Sequence, residues 1–486
     1  MGFRDTDAGS EGTEAGAARP PGQSARRASS AVLWLACAAQ FMVVLDVSVV
    51  NVALPSIRSA LGFDAVGLQW VVGGYALVFA GFLLLGGRLA DLYGRRRVFL
   101  WGLALFSASS LVGGLATTPG ILVAMRAVQG LGAAVLAPAT LTILTTGFPE
   151  GESRTRALAV WTAVSSAGGA AGNLIGGVLT DALSWRWILL INVPIGAFAA
   201  LTALRFLPAD GARSARRRLD VTGAVLVTVG VTAVVHGVTQ ARTHGWSGAT
   251  TLAALGLGTV ALSAFAVVET RYATAPLLPP ALLRQRAVRT GNLVMLLAGA
   301  CFIPMWYFLS LSMQEVLGYG ALATGVGFLP HTVAGIAAAR LAPAAMRRTG
   351  ARALIALSAL LSAAGFAWQS RTGADSGYLT GLLGPGLVMS TGMGLLITPL
   401  TATVTSGIPR QDAGAASGLM NATRQIGGAL GLAGLVTLAA GDTGTADSFR
   451  PVFLGLAVLC ATVAALATTL PAPPTATRTS ASGDAP

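Results

Sequence analysis

Asp46 is the residue with the clearest chemical consequence in this chain. It lies in Leu45-Asp46-Val47-Ser48-Val49-Val50-Asn51-Val52-Ala53-Leu54-Pro55, inside the first long apolar run. A carboxylate at membrane depth is costly, so it is read as facing a cavity or a partner, and Asp46 is expected to carry a proton. It stands about nine residues, roughly 13 Å, below the end of its run at Pro55. Arg126 stands about seven residues, roughly 10 Å, below the end of the fourth run near Pro119. The two opposite charges thus share a depth. Two readings remain open, a pair that competes for a proton and a static ion pair that makes each charge tolerable.

Other residues carry weaker signals. Gly86-Gly87-Arg88-Leu89-Ala90-Asp91-Leu92-Tyr93-Gly94-Arg95-Arg96-Arg97 joins the second and third runs. Its glycines permit close helix approach, Asp91 precedes the third run, and Arg88, Arg95 and Arg96 answer its charge at the lipid surface. Arg424 lies within the thirteenth run, at the repeat position of Ser165, and is assigned to a cavity, to a contact between halves, or to a buried structural cation. His331, mid-run, is protonatable but more simply a hydrogen-bonded neutral histidine. Gln40, Met42, Asn51, Gln129 and Asn421 are pocket or coupling candidates. Glu315 and His236, near run ends that water reaches, are read as ordinary.

These residues must be positioned by membrane helices. Of the 486 residues, 54% are hydrophobic and 10% charged, which marks a polytopic membrane protein and not a soluble globule. All 32 basic residues are arginine. With no lysine the chain forms neither a Walker phosphate loop nor a Schiff base. No nucleophile–base–orienter set or metal-ligand cluster is visible, so enzyme chemistry and cofactors are not expected. Cys37, Cys301 and Cys460 sit in apolar runs, which indicates neither disulfides nor a metal. The net charge of +13 resembles a nucleic-acid signal, but the arginines occupy short loops, so no nucleic-acid partner is expected.

At about 20 residues per crossing, the apolar runs give an all-α membrane protein of fourteen transmembrane helices. They start near Ala31, Gln69, Val98, Ile121, Ala157, Trp187, Val221, Thr250, Thr290, Leu322, Ala353, Tyr378, Ala413 and Phe449. With a cytoplasmic N-terminus, 25 of the 32 arginines fall in inside loops and tails, 5 outside and 2 within spans. That asymmetry fits the positive-inside rule and places both termini in the cytoplasm. Residues 1–30 and 471–486 read as disordered tails, and no cleavable signal peptide is expected before the first span.

The chain also repeats. Gly130, Pro138 and Pro149 return as Gly392, Pro399 and Pro409, and the run 168–172 returns at 427–431, at offsets of 259–262 residues. Residues 31–207 and 290–470 are therefore read as two pseudo-symmetric six-helix bundles, with 208–289 a two-helix insert. In the second copy of the Gly-Arg loop, Arg347-Arg348-Thr349-Gly350-Ala351-Arg352, an arginine stands where Asp91 would recur.

The Gly87-Arg88-x-x-Asp91-x-x-Gly94-Arg95 spacing resembles the signature loop of the major facilitator superfamily. Arg126-Ala127-Val128-Gln129-Gly130-Leu131-Gly132 resembles its fourth-span motif, whose arginine the family implicates in proton transfer. Gly168, Gly172, Gly176 and Gly177 match its antiporter motif, except that Asn173 stands where proline is usual. The stretch around Asp46, Trp185-Arg186-Trp187-Ile188 with Ile191-Asn192-Val193-Pro194, Met313-Gln314-Glu315-Val316-Leu317-Gly318-Tyr319 with Phe328-Leu329-Pro330, and Asn421-Ala422-Thr423-Arg424-Gln425 are similar to its fourteen-span drug:proton antiporter branch. The resemblance implies two bundles rocking about a central site in the cytoplasmic membrane. It implies a monomer that exports an amphipathic small molecule in exchange for protons, with the proton gradient in place of a cofactor. Two alternatives are a dedicated exporter of one endogenous metabolite or antibiotic and, more remotely, a non-transporting receptor.

Overall fold

The computed structural model describes residues 23–148, 151–208, 219–273, 276–277, 280–373, 376–406, 408, 413–439 and 446–471. Among these residues there is no strand, and fourteen long helices dominate. They are α1 (Gln23–Leu61), α2 (Ala65–Tyr93), α3 (Arg95–Gly114), α4 (Pro119–Gly147), α5 (Glu152–Ala182), α6 (Trp187–Phe206) and α7 (Val221–His244). The rest are α8 (Ala249–Tyr272), α9 (Arg286–Val316), α10 (Ala321–Thr349), α11 (Ala351–Gln369), α12 (Leu379–Thr405), α13 (Ala413–Leu438) and α14 (Ala446–Ala467). A short helix, Pro280–Arg284, precedes α9.

Thirteen of these helices are long and apolar enough to cross a membrane. The exception is α13, long enough at 26 residues. Asn421, Arg424 and Gln425 fall in its middle and lower its apolar character. Lipid acts as solvent for the outside of the protein, where Trp101, Phe198, Leu201, Leu252 and Val260 are exposed. Helix α1 begins at Gln23, inside the stretch expected to be a tail, because residues 23–30 continue its helical hydrogen bonding.

The starts of the helices are fixed by local chemistry. Asp64 caps α2 by accepting from the Gly67 N–H, Asp220 caps α7 through Gly223, and Thr118 caps α4, where Pro119 supplies the first-turn proline. Two junctions need glycine. Gly94 between α2 and α3 has φ +94°, and Gly350 between α10 and α11 has φ +80°. Both conformations disfavour any residue with a Cβ. The two glycines hold the same place in the two copies of the Gly-Arg loop.

The packing repeats along with the sequence. Helices α1–α6 pair as α1 with α5, α2 with α4, α3 with α4 and α3 with α6. Helices α9–α14 pair as α9 with α13, α10 with α12, α11 with α12 and α11 with α14. Close glycine contacts recur too. Gly168 and Gly172 lie against the carbonyls of Phe41 and Leu45, and Gly427 and Gly431 against those of Leu296 and Ala300. The fold is two repeated six-helix halves that meet along α5–α10 and α2–α13, with α7 and α8 packed on each other outside them.

Candidate functional site

Asp46 is fully buried at 0% exposure, and so is nearly all of Arg126, at 2%. Arg126 Nη1 donates to Asp46 Oδ2 at 2.5 Å. Asp46 Oδ1 accepts from Gln129 Nε2 at 2.7 Å and from Asn192 Nδ2 at 2.9 Å. Arg126 is held from its other side, its Nε donating to the Val71 carbonyl at 2.9 Å and its Nη1 to Gln129 Oε1 at 2.6 Å. The guanidinium also lies over the Tyr75 ring, 4.6 Å from the centroid. Ser110 Oγ accepts from Gln129 and Asn192 and donates to the Phe106 carbonyl. The carboxylate of α1 and the guanidinium of α4 are thus enclosed by a carbonyl and a ring of α2, a hydroxyl of α3 and amides of α4 and α6. A low-dielectric site of this kind strengthens each hydrogen bond and raises the cost of losing one.

Among the described residues, the second half carries no such pair. Counting on by one from Leu45 and Ala300, which meet the matching glycines, places Asp46 opposite Cys301. Cys301 is buried with a free thiol, as are Cys37 and Cys460. The pseudo-symmetry is therefore one of shape and not of charge.

The glycines of α5 serve close packing on two sides. Gly168, Gly172 and Gly176 face α1. Gly177 faces the Ala321 carbonyl of α10, where an added Cβ would come within 2.7 Å. Gly325 of α10 lies as tightly against the carbonyl of Asn173. Helix α5 runs unbroken through Asn173, whose buried side-chain oxygen has no hydrogen-bond partner.

The two halves are joined by polar contacts toward the ends of α1 and α9. Arg58 Nη1 meets Glu315 Oε1 at 3.0 Å, Ser310 Oγ donates to the Asn51 carbonyl at 2.7 Å, and Gln314 Nε2 donates to the Val52 carbonyl at 3.0 Å. A π-helical turn over Ser312–Val316 holds Gln314 and Glu315 at this contact. On α5 the residues buried from Gly168 to Gly177 lie toward this same end, whereas Ala157 is the one buried residue before Gly168. The halves are therefore closed where Arg58 meets Glu315, and α5 is less covered toward the end that bears the chain termini, while α2 and α13 stay in contact there through Leu84 and Gly418. A cavity of about 610 Å³ at the closed end is lined by Asp181, Gly320, Leu322, Ala323, Val326, Gly327 and Tyr378, and holds none of the candidates read from the sequence.

The other candidates are placed as follows. Arg88 Nη2 donates to the Pro276 carbonyl beyond α8 at 2.6 Å, and Arg96 Nη2 to the Leu204 carbonyl of α6 at 2.7 Å. Arg95 is exposed, and the side chain of Asp91 lies outside the described residues. The close approach to α4 in this loop falls at Gly86, against Ala134, while Gly87 has only Pro138 Cβ at 3.8 Å. His331 is buried, with Nδ1 bonded to the Gly327 carbonyl at 3.0 Å and its ring against Gly386.

Met42, read as a pocket candidate, is instead core, packed among residues of α3, α4 and α6 because it lies on the face of α1 turned toward those helices. Gln40 is buried against Thr140 of α4. Asn51 is buried where α1 meets α9. Asn421 accepts from Arg424 Nη2 at 3.4 Å.

Sequence reasoning missed four contributors. Asn192 lay in a quoted motif without a role. Ser110 and Tyr75 gave no signal, since hydroxyls are common in membrane helices. Glu315, read as ordinary, pairs with Arg58 across the halves.

Two repeated helix bundles, the first enclosing a membrane-buried charge pair, define a membrane transporter. The profile of the Major Facilitator Superfamily matches residues 36–432, and the chain belongs to that family. It is 53% identical over 464 residues to the cephamycin export protein CmcT of Amycolatopsis lactamdurans, covering 94% of this chain and 96% of that protein. It is 43% identical over 415 residues to the puromycin resistance protein pur8 of Streptomyces alboniger, covering 84% and 81%. With the tetracenomycin C resistance and export protein of Streptomyces glaucescens it shares 33% over 430 residues, covering 88% and 79%. Among solved structures it is similar in fold to an auto-inhibited peptide transporter of the POT family, with TM-score 0.68, 14% identity, and coverage of 91% of this chain and 96% of that one.

Proposed function

We propose that the chain is a proton-coupled exporter of amphipathic drugs or antibiotics, working by alternating access as a monomer in the cytoplasmic membrane. The observation that carries the reading is the Asp46–Arg126 pair, fully buried and held by Gln129 and Asn192, in a family member whose relatives are named for antibiotic export and resistance. On this reading fourteen helices cross the membrane and the arginine-rich end carrying both termini is cytoplasmic. The structure is then open inward, with the Arg58–Glu315 contact closing the outside.

Within that frame Asp46 exchanges its ion pair for a proton. Protonation removes the charge that compensates Arg126, and the guanidinium then depends on Val71, Gln129 and Tyr75 alone. The two bundles, 31–207 and 290–470, rock across the glycine contacts of α5 and α10. The loop from Gly87 to Arg96, anchored through Arg88 on Pro276 beyond α8 and through Arg96 on α6, restrains the inner end. Asp46→Asn should abolish uncoupler-sensitive extrusion by the protein that still folds, and full transport by that variant would refute the proton role.

A second reading, export of a single compound, is favoured by relatives that are each named for one antibiotic. Expression in a strain stripped of its own exporters separates the two. Uncoupler-sensitive resistance to many chemotypes supports the broad exporter, and resistance to one supports the dedicated exporter.

A further inference from the structure

We propose that Arg424 is the binding site for the carboxylate of an amphipathic substrate, in the vestibule between the two halves; the proposal rests on the exporter reading above.

Arg424 sits near the middle of α13, which spans Ala413–Leu438. Its backbone is fixed. Gly299 of α9 lies so close to the Arg424 carbonyl that an added Cβ would overlap it, and Gly427 and Gly431 repeat this contact against Leu296 and Ala300. The direction of the side chain is therefore set by tight packing and not by a mobile helix.

That side chain is exposed, and the pattern along the helix says to what. Lipid-facing helices show exposed residues every three or four positions. Helix α14 does so, at Arg450, Leu454, Val458, Ala461 and Ala465. Helix α13 has no such stripe, because α9, α2 and α7 cover it. Among its described side chains only Arg424 and the terminal Leu438 are exposed. A lone exposed arginine on a covered helix opens into the space between the halves.

The charge there is uncompensated. Arg424 Nη2 makes a 3.4 Å hydrogen bond to Asn421 Oδ1, one turn back on its own helix. Among the described residues no carboxylate lies within ion-pair distance of it. Asp46 is not its counter-charge, since both carboxylate oxygens are occupied by Arg126, Gln129 and Asn192. Asp46 also lies level with Gly431, about seven residues, roughly 10 Å, further from the open end. The matching position in the first half is Ser165 of α5, three residues before Gly168, so this cation has no symmetric copy.

A guanidinium at this depth with no carboxylate is a ready acceptor for an anion. Its planar fork of donors suits a carboxylate, which it binds through two parallel hydrogen bonds. The open end gives a carboxylate from the termini side direct access. The apolar remainder of the substrate would lie against the Ala- and Gly-rich walls of α13 and α5.

The test uses purified full-length protein in lipid nanodiscs with pyrenebutyrate and its methyl ester as probes. Wild type should bind the acid more tightly than the ester. Arg424→Gln should weaken the acid by about tenfold or more and leave the ester unchanged, as expected for a lost charged hydrogen bond. Arg424→Lys, which keeps the charge and loses the fork, should fall between them, and serves alone if the glutamine variant does not fold. Equal binding of acid and ester by wild type, or equal weakening of both by Arg424→Gln, would overturn the site. Uncoupler-sensitive extrusion of the ester is read separately. Its absence from wild type sinks the exporter reading, while its presence with unchanged acid binding in Arg424→Gln sinks only the carboxylate site.

Discussion

The Asp46–Arg126 pair can be examined by a double-mutant cycle, with a magnitude worked from its contacts. Asp46 accepts three hydrogen bonds through two oxygens, from Arg126 at 2.5 Å, Gln129 at 2.7 Å and Asn192 at 2.9 Å. In Asp46→Asn one oxygen becomes an amide NH2, a donor that must face either the guanidinium or the two amides. Asn192 can flip to offer its side-chain oxygen, which has no partner in the wild type, so the oxygen of the new asparagine would stay on Arg126. Removing one member of a buried ion pair costs about 3–5 kcal/mol, and this rearrangement puts Asp46→Asn at the lower end, about 3 kcal/mol. Arg126→Gln strands the carboxylate with two amide donors and should cost about as much. The double variant leaves no buried charge, so it too should cost about 3 kcal/mol in place of the additive 6, a coupling of about 3 kcal/mol. Reversible unfolding of the four proteins from mixed micelles measures each value. Additive costs would refute the argument, because they would show that the two charges do not support each other. The number also bears on mechanism. Placing a proton on Asp46 removes the same charge as the asparagine does, and about 3 kcal/mol is close to the work of one elementary charge crossing roughly 130 mV.

Three further outcomes follow from the contacts. Glu315→Gln should change stability by less than about 1 kcal/mol, since Arg58 and Glu315 are partly exposed. It should nonetheless speed labelling of an Asn51→Cys reporter by an impermeant maleimide, and unchanged labelling would show that the Arg58–Glu315 contact does not hold the outside closed. Gly177→Val places a branched side chain against the Ala321 carbonyl and should cost about 1–3 kcal/mol, whereas Gly169→Ala, with Val44 as its nearest neighbour at 3.6 Å, should be nearly neutral in the same unfolding assay. Cys301→Val should keep transport and cost under about 1.5 kcal/mol; lost transport in a folded variant would place coupling chemistry in the second half as well.

Much of the fold is legible because the bilayer simplifies the code. Every span must satisfy its own backbone, so apolar length alone finds helices, and expected starts such as Trp187, Val221 and Ala413 coincide with observed ones. The start of α1 was not legible, since Gln23–Ser30 is polar and its helicity is continued from the span behind it. In the site, charge was the readable quantity. Asp46 and Arg126 stand out because charge is rare at that depth, and their similar depth follows from counting residues. What completes the site is neutral. Asn192, Ser110 and Tyr75 are brought to Asp46 by the packing of α6, α3 and α2 and by no local pattern. Met42 shows the converse, for a flexible apolar side chain on the first helix suits a pocket and a core equally until the facing helices are known.

The seams between the halves differ in a way that bears on how they can move. Along α5 and α10 the contact is backbone against glycine, Gly177 on Ala321 and Gly325 on Asn173, so few side chains interlock there. Along α2 and α13 the insert takes part. Gln69 of α2 donates to Thr239 of α7 at 3.2 Å, while Arg242 and Thr437 tie α7 to α13 through the carbonyls of Val436 and Val238. Helix α7 therefore bonds to both halves on one side, with no counterpart on the other among the described residues. If the halves rotate as bodies, sliding costs least along the glycine seam, whereas the opposite seam can open only by breaking bonds of α7. The easy axis of rotation should then lie near α7, which gives the two-helix insert a mechanical role without any contact to Asp46 or Arg126.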